Sequence, residues 1–106
     1  MARSADDERA ALPRTSATTK AFARDWLRLS RSGRYDMRRL KEAMLLLIAR
    51  DAPLGAEWSN HALKGVWRGH HECRIGGDLP LIYRLDDGAG DDIVFVRAGT
   101  HAELFE

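Results

Sequence analysis

Residues 79–97 read LPLIYRLDDGAGDDIVFVR, and the fold class can be worked out from this stretch outward. Its two apolar runs, 79–85 and 93–97, are rich in the branched and aromatic residues that fit a β-sheet. Glycines and aspartates separate the runs, as is typical of a loop. Pro80 stands near the start of the first run, where a strand tolerates proline. The pattern predicts two consecutive strands joined by a loop over residues 86–92.

Two further strands are predicted upstream of this pair. Residues 66–75 end in a strand, and the turn signal Gly76-Gly77-Asp78 separates that strand from the next. Residues 14–18 (RTSAT) are small and partly β-branched, and they predict a short first strand. The predicted sheet therefore has four strands, three of them consecutive in the C-terminal half.

A helix is predicted over residues 19–31, after the first strand. Its apolar stripe follows the i, i+4, i+7 spacing of a buried helix face: Phe22, Trp26 and Leu29. A threonine at position 18 or 19 can cap its N-terminus. Gly33 suits the left-handed position that ends many helices, so we expect the helix to end just before it.

A second helix is predicted from Asp36, a capping residue, to about Arg50. Its apolar face consists of Met37, Leu40, Met44, Leu47 and Ile48. Residues 51–53 (DAP) stop it, because proline disfavours a helical residue before it. The short connection between the two helices favours an antiparallel hairpin. The order β-α-α-β-β-β then predicts an α+β fold, with the helix hairpin packed on a twisted antiparallel sheet.

The length of 106 residues fits one domain. We expect residues 1–13, which are small, charged and non-periodic, to form a flexible leader, and residues 14–106 to form the domain. No apolar run approaches the roughly 18 residues that cross a bilayer, and the N-terminus lacks the apolar core of an export signal. The lone Cys73 cannot form an internal disulfide, which agrees with a reducing compartment. These features predict a cytoplasmic protein without a membrane partner.

Charge is distributed unevenly along the chain. The net charge is +1, yet residues 14–50 carry ten Lys and Arg against three acidic residues, which leaves +7 in that segment. Such a segment predicts an anionic partner, either nucleic acid or an acidic protein. The alternative is that these cations are only the solvated side of two amphipathic helices.

Three blocks in the C-terminal half carry a family resemblance. They are residues 60–69 (NHALKGVWRG), 72–84 (ECRIGGDLPLIYR) and 97–105 (RAGTHAELF). The first resembles a His-x-Leu-x-Gly segment followed by Trp, a basic residue and Gly, and the last resembles a closing Gly-Thr-His-x-x-Leu-Phe. In order and spacing, over about residues 58–106, the blocks are similar to the YafQ branch of the RelE/ParE toxin superfamily.

This resemblance implies a microbial RNase-type fold and a role as the toxin of a type II toxin–antitoxin system. It implies ribosome-dependent cleavage of mRNA without a metal or other cofactor. The implied partners are a cognate antitoxin, which silences the enzyme, and the ribosome with its mRNA. Operator DNA would be contacted only indirectly, through the antitoxin.

Four site positions carry over from the family. Metal-free RNA cleavage needs a base for the 2′-hydroxyl proton and an acid for the departing 5′-oxygen, and the histidine pKa of about 6.5 suits both tasks. His101 is the preferred proton-transfer residue, and His61 is the second. Asp78 would orient an imidazole or the substrate, although it also suits a plain turn. Phe105 would stack on a base or pack beneath the site.

Arg74 departs from the family, which usually has a histidine at its position. Arginine stays protonated and cannot act as a general base at neutral pH. Arg74 therefore either clamps the phosphate electrostatically or leaves the activity weakened. Strand alternation puts His70 and Glu72 on the same face as Arg74, with His71 on the other. His70 is therefore a candidate replacement for the missing imidazole.

Other polar residues allow weaker predictions. Lys64, Arg68 and Arg97 are candidate contacts to RNA phosphate, although exposed cations are common on soluble proteins. A zinc site is the rival chemical interpretation, but the available ligands match no zinc spacing: His61, His70, His71, Cys73 and His101. We therefore expect no metal.

Two other functions are compatible with the same scaffold, because fold alone does not fix function. One is a non-enzymatic, ParE-like toxin that binds DNA gyrase. The other is an inactivated toxin that only binds its antitoxin, a hypothesis that Arg74 makes credible. The histidines of the C-terminal blocks favour the nuclease.

Overall fold

The computed structural model describes residues 12–50, 54–86 and 91–106. The strands are β1 Thr15–Thr18, β2 His61–Ala62, β3 His71–Arg74, β4 Pro80–Asp86 and β5 Asp92–Ala98. The helices are α1 Lys20–Ser32, α2 Met37–Ala49 and α3 His101–Phe105, with 3₁₀ turns at Ala56–Trp58 and Gly65–Trp67. Residues 1–11 of the predicted leader lie outside the described residues, as do the predicted stop at 51–53 and positions 87–90 of the predicted loop.

Within the described residues the strands form one five-stranded sheet in the order β1-β5-β4-β3-β2. Strands β2 to β5 pair antiparallel, as predicted. β1 instead runs parallel to β5, with Thr15 opposite Asp92, so the sheet is mixed rather than antiparallel throughout. The chain between β1 and β5 passes through both long helices, which supplies the long crossover that a parallel pair requires. The two-residue β2 was also not predicted.

Helix α1 forms where the sequence predicts it. The Thr19 side chain accepts a hydrogen bond from the Phe22 backbone N–H at 2.9 Å and so caps the first turn. Gly33 ends the helix in the left-handed conformation, with φ of 66°. Phe22 and Leu29 are buried, and Trp26 packs half-buried beside them, which confirms the predicted stripe.

Helix α2 also agrees with its prediction. The Asp36 side chain accepts from the Arg39 backbone N–H at 3.1 Å, and Arg50 follows the last turn with φ of 49°. Leu40 and Leu47 are buried, while the other predicted core residues pack half-buried against them: Met37, Met44 and Ile48. Among the described residues, no helix is long and apolar enough to cross a membrane.

The two faces of the sheet are covered unequally. On the helix face, which we define as the side packed against α1 and α2, fourteen of the described residues form one buried cluster, including Phe95 and Leu81. On the opposite side, the open face, only Ile82, Val96 and Leu104 of the described residues form a buried cluster. Leu104 belongs to the short α3, so this helix is the main cover of the open face.

Candidate active site

Two imidazoles meet at one carboxylate on the open face. β2 pairs with β3 so that His61 stands opposite Glu72. His61 Nε2 lies 3.3 Å from Glu72 Oε2, and His101 Nε2 lies 3.4 Å from Glu72 Oε1. The Glu72 side chain is 7% exposed, whereas the two rings are about half exposed. A buried carboxylate thus holds together two histidines that are 40 positions apart in the sequence.

His101 is fixed by its position as the first residue of α3. Thr100 caps this helix through a reciprocal pair of hydrogen bonds with Glu103. Asp78 Oδ1 accepts from the His101 backbone N–H at 3.0 Å and lies 2.5 Å from the ring Nδ1. The hydrogen bond from the ring, followed by the one from the backbone, lowers the pKa of Asp78. The β3–β4 turn and α3 are therefore joined at this imidazole.

The hydrogen bonds define which ring nitrogen faces the centre of the site. His61 Nδ1 lies 2.6 Å from the Ser59 carbonyl oxygen, which can only accept, so this nitrogen carries a proton. Because the pKa of Asp78 is lowered, its carboxylate likewise accepts from Nδ1 of His101. Both Nε2 atoms then point to Glu72 and are the atoms available for proton exchange with a substrate.

An aromatic row borders these imidazoles. The Phe105 ring lies 5.5 Å from the His101 ring, and Trp67 lies 6.1 Å from Phe105 in a T-shaped contact. Trp67 in turn contacts the His70 ring edge-on at 5.3 Å. Phe105 is 37% exposed, so one side of its ring is accessible beside His101.

His70 does not lie on the strand that the sequence analysis assumed. β3 begins at His71, and the His70 backbone N–H donates instead to the Trp67 carbonyl at 3.0 Å. The His70 ring contacts Trp67, whose ring contacts Phe105 beside His101, and the His70 carbonyl accepts from the Leu63 backbone N–H at 2.9 Å. His71 points to the helix face, as expected, where it stacks on Tyr83 at 5.3 Å. Burial, and then the nearby His70, lower the pKa of His71.

Three predicted cations are exposed at the protein surface: Lys64, Arg68 and Arg74. Arg74 shares the face of Glu72, because the intervening Cys73 is buried in the helix-face core. Its charge contributes to the lowered pKa of Asp78, after the larger effects of His101. Lys64 and Arg68 are exposed and flank the Gly65–Trp67 turn. All three are accessible to an anionic ligand.

Comparisons with known proteins agree with this geometry. A family model for the YafQ toxin of bacterial type II toxin–antitoxin systems matches residues 14–106. The chain belongs to the YafQ toxin family. The mRNA interferase toxin YafQ of Escherichia coli K12 is 39% identical over 79 residues, which are 74% of this chain and 83% of that protein.

Solved structures of YafQ toxins share the fold. YafQ from Escherichia coli BL21(DE3) superposes with a TM-score of 0.77 at 34% identity, covering 88% of this chain and 99% of that one. The toxin chain of the Escherichia coli DinJ–YafQ complex gives a TM-score of 0.77 at 35% identity, over 90% of this chain and all of that one. The resemblance stated from the sequence, and the RelE-like α+β fold it implied, are confirmed.

Arg97, a candidate contact to RNA phosphate, is paired with a buried acid. Its Nε donates to Asp25 Oδ2 at 2.7 Å and its Nη2 to Asp25 Oδ1 at 3.1 Å. A β-bulge accompanies this pairing, since Ile82 lies opposite Arg97 while the next β4 residue lies opposite Phe95. The structure thus shows Arg97 bonded to a buried acid rather than beside the histidines.

Sequence analysis missed two acidic residues that the fold uses. Glu72 was noted only for its strand face, and its contact with both histidines depends on the two-residue β2. Asp25 is 1% exposed, although it is charged. It stands three residues after Phe22, within the apolar stripe of α1, and an acid at such a position is a signal for a buried partner.

The acidic and imidazole groups of this centre also raise the question of a metal. Among residues 12–50, 54–86 and 91–106, no group of three or more His, Cys, Asp or Glu side chains is arranged to hold a metal ion.

Proposed function

We propose that this YafQ-family chain is an endoribonuclease that cleaves mRNA by acid–base catalysis and that a cognate antitoxin holds silent. The observation that carries the proposal is the pair of half-exposed imidazoles on the one buried Glu72 carboxylate. Two proton-transfer groups at one place are what cleavage of a phosphodiester by the neighbouring 2′-hydroxyl requires. The mRNA interferase name of the Escherichia coli relative supports the same activity. We expect this activity in the cytoplasm, where mRNA and ribosomes are found, and we assign it to a single domain over residues 14–106.

The surroundings of the two rings suggest their roles. The His101 Nδ1 proton is held by the Asp78 carboxylate, and a carboxylate in that position stabilises the imidazolium that forms when Nε2 accepts a proton. We therefore assign His101 as the base that takes the 2′-hydroxyl proton. The His61 Nδ1 proton faces a neutral carbonyl, so His61 is the acid that protonates the departing 5′-oxygen. The 2′-oxygen bonds to phosphorus as the 5′-oxygen bond breaks, leaving a cyclic phosphate.

Surface groups around the centre complete the substrate site. Arg74 lies near Asp78 on the open face, where its guanidinium stabilises the negative charge of the phosphorane. Lys64 and Arg68 bind flanking phosphates. The exposed side of Phe105 stacks on a base next to the scissile phosphate, an interaction worth roughly 1–3 kcal/mol.

The acid–base assignment is tested with purified ribosomes programmed with a defined mRNA, with cleavage mapped by primer extension. His101→Ala and His61→Ala should each lower the cleavage rate by about 10²–10⁴-fold. His71→Ala is the matched control, because it removes an imidazole from the helix face, and it should cleave like the parent. Equal cleavage by all three variants would remove the proposal. Intact mRNA with inhibited gyrase supercoiling would favour the ParE-like alternative.

Arg74 is tested by restoring the family residue. If Arg74 serves only as an electrostatic clamp, Arg74→His cleaves no faster than the parent. A faster Arg74→His enzyme would show that the arginine weakens this toxin. His70→Ala tests whether His70 replaces the missing imidazole, and an unchanged rate would exclude that role.

Ribosome dependence is a further part of the proposal. Charge-based contacts to free RNA weaken steeply with salt, whereas the ribosome would hold the mRNA strand in the geometry that the site needs. We expect cleavage of ribosome-bound mRNA at salt concentrations at which the same free RNA stays intact. Equal rates on both substrates would contradict this dependence.

For the antitoxin we propose a binding groove between α1 and α2. Its volume is about 540 Å³, and its lining includes Trp26, Leu27, Met44 and Leu45, with Lys41 at the side. Leu27 and Leu45 are more than half exposed although they are large and apolar. The solved DinJ–YafQ complex shows that a relative binds an antitoxin. The occupant that fits is an antitoxin segment with an apolar stripe and acidic flanks, complementary to the +7 charge of residues 14–50.

Substitution of this groove separates antitoxin binding from cleavage. Leu45→Asp should weaken binding of the purified antitoxin at least about tenfold, since it places a charge in an apolar contact. The same variant should cleave mRNA at the parental rate.

Operator DNA is expected to contact the toxin only through the antitoxin. It should therefore bind the toxin–antitoxin complex but not the toxin alone. Direct binding of operator DNA by the toxin would contradict this expectation.

A further inference from the structure

We infer that Asp25, Arg28 and Glu103 form a charge network that positions His101 for catalysis, so that residues of α1 act on the site without touching the substrate. The inference rests on the proposed function of His101. Arg97 belongs to the same network, because it donates hydrogen bonds to Asp25. The following contacts connect the network to the imidazole.

Asp25 lies at the centre of the network. Its carboxylate accepts from Arg28 Nη1 at 2.7 Å, from Arg97 at two positions, and from the Ala98 backbone N–H at 3.1 Å. Burial by itself raises the pKa of Asp25, but the hydrogen bonds from Arg97, Arg28 and Ala98 outweigh it, and the pKa is lowered. The carboxylate is therefore charged, and it fixes the end of β5 against α1.

Arg28 connects this centre to α3. Its Nε lies 3.0 Å from Glu103 Oε2, and its Nη2 donates to the Ala98 carbonyl at 3.4 Å. One guanidinium thus contacts Asp25, the last residue of β5 and the first turn of α3. These are the segments on either side of the two residues, Gly99 and Thr100, that lead into His101.

Glu103 connects Arg28 to the N-terminal cap of α3. Its Oε1 accepts from the Thr100 backbone N–H at 2.9 Å, while the Thr100 hydroxyl accepts from the Glu103 backbone N–H at 3.2 Å. The other oxygen of the same carboxylate binds Arg28. Gly99 leaves little room here, since a Cβ at that position would lie 3.2 Å from Arg28 Nη2. The cap that starts α3, and hence the position of His101, is tied to α1.

His101 is consequently held from two sides. Asp78 holds its backbone and ring from the β3–β4 turn, and the network holds its helix from α1. α3 has only five residues, too few to keep its orientation by helix formation alone. A displacement of about 1 Å can cost about 100-fold in rate. We therefore assign Arg28 and Glu103 as positioning residues.

The first test removes the bridging cation. Arg28→Gln should lower kcat on ribosome-bound mRNA by about 10- to 100-fold while KM changes by less than about threefold, because placement of the base is lost and not substrate binding. Arg31→Gln is the matched control, since it removes an exposed arginine from the last turn of the same helix. It should keep the parental kcat and KM.

The second test removes the negative charge of Glu103 instead of the positive charge of Arg28. Glu103→Gln should lower kcat in the same direction as Arg28→Gln, and the double variant should be no worse than Arg28→Gln alone, because Arg28→Gln already removes the contact with Glu103. An RNA-binding role for Arg28 makes different predictions. Arg28→Gln would then raise KM, whereas Glu103→Gln, which removes a negative charge, would lower or preserve it. That pattern, or additive losses in the double variant, would overturn the inference.

A readout without RNA separates this inference from the proposed function. In the parent, the His101 Nδ1 proton bound to Asp78 should give a downfield imidazole N–H resonance in NMR spectra, absent in His101→Ala. It should be weakened or lost in Arg28→Gln and kept in Arg31→Gln. An unchanged resonance in Arg28→Gln would refute positioning even if the enzyme cleaves mRNA. Conversely, suppose that Arg28→Gln loses the resonance while His101→Ala cleaves mRNA like the parent. That result would refute the proposed role of His101 in cleavage but not its positioning by Arg28.

Discussion

The helix face and the open face of the sheet are formed by the same strands but bury very different amounts of apolar side chain. On the helix face, two long helices bury a continuous apolar cluster that includes Phe95, Leu40 and Cys73. On the open face, a five-residue helix and a 3₁₀ turn cover a much smaller cluster, and the half-exposed histidines lie beside it. The chain therefore stabilises its strands from one side and leaves the other side accessible for chemistry.

The difference teaches where stability and activity can be changed separately. A side chain on the helix face contributes mainly to the free energy of unfolding, because its neighbours are all packed. A side chain on the open face contributes more to the placement of Glu72, His61 and His101. The Asp25 network connects α1, on the helix face, to α3, on the open face, at the end of β5.

The largest expected effect comes from one substitution made on each face. Phe95→Ala should lower the free energy of unfolding by about 3–5 kcal/mol, since Phe95 is 1% exposed and packs against Phe22. Phe105→Ala, on the open face, should cost about 1 kcal/mol of stability and show its main effect on RNA cleavage. Urea unfolding of both variants measures this. Equal losses of stability would break the distinction between the faces.

Two leucine substitutions, one on each face, test the same difference in stability with a smaller expected effect. Leu40→Ala on the helix face should cost about 4 kcal/mol, because the side chain is fully buried in the large cluster. Leu104→Ala on the open face should cost about 2 kcal/mol, because fewer neighbours surround the deleted atoms. Cleavage by Leu104→Ala should fall further than its stability explains, since α3 carries His101. Normal cleavage by a folded Leu104→Ala protein would argue against that coupling.

Acid pH should weaken the connection between the faces. The pKa of Asp25 is lowered in the folded protein, so its contribution to stability is fully present above about pH 4, the ordinary range of the unfolded carboxyl, and is lost as the pH falls through the lower folded value. Urea unfolding from pH 6 to pH 2 should therefore show a fall in the free energy of unfolding below about pH 4. Asp25→Asn should be less stable at neutral pH and should show a shallower fall.

The smallest expected effect is a difference in chemical modification between Cys73, on the helix face, and the histidines of the open face. Burial, with a further contribution from Glu72, raises the pKa of the Cys73 thiol to about 12. At pH 8 only about one thiol in 10⁴ is then ionised, so a disulfide reagent should not label the native protein. Diethyl pyrocarbonate should modify the half-exposed His61 and His101 rings under the same conditions. Rapid labelling of Cys73 would show that the helix face opens.

Local patterns explain the parts of the fold that were predicted from the sequence. The spacing of Phe22 and Leu29, the cap at Asp36 and the left-handed Gly33 each depend on residues close in the chain. The strands of the C-terminal half follow equally local alternation and turn signals. The convergence of His61 with His101 could be predicted only through the family blocks, because nothing in their own neighbourhoods brings them together.

Features that depend on distant pairing were not predicted. The parallel direction of β1 is set by β5, more than 70 residues away. Glu72 contacts both histidines only because the short β2 pairs with β3. The burial of Asp25 beside Arg97 likewise requires that α1 pack against the end of β5. Local sequence carries no information on these encounters. It also does not fix where a strand begins: β3 starts at His71, one residue later than the alternation used for His70 assumes.

The position of β5 between β1 and β4 has a consequence for synthesis of the chain. The first strand leaves the ribosome long before its neighbour β5 has been made, so the centre of the sheet cannot assemble until β5 emerges. A growing chain that still lacks β5 and α3 therefore cannot bring His61 and His101 together at Glu72.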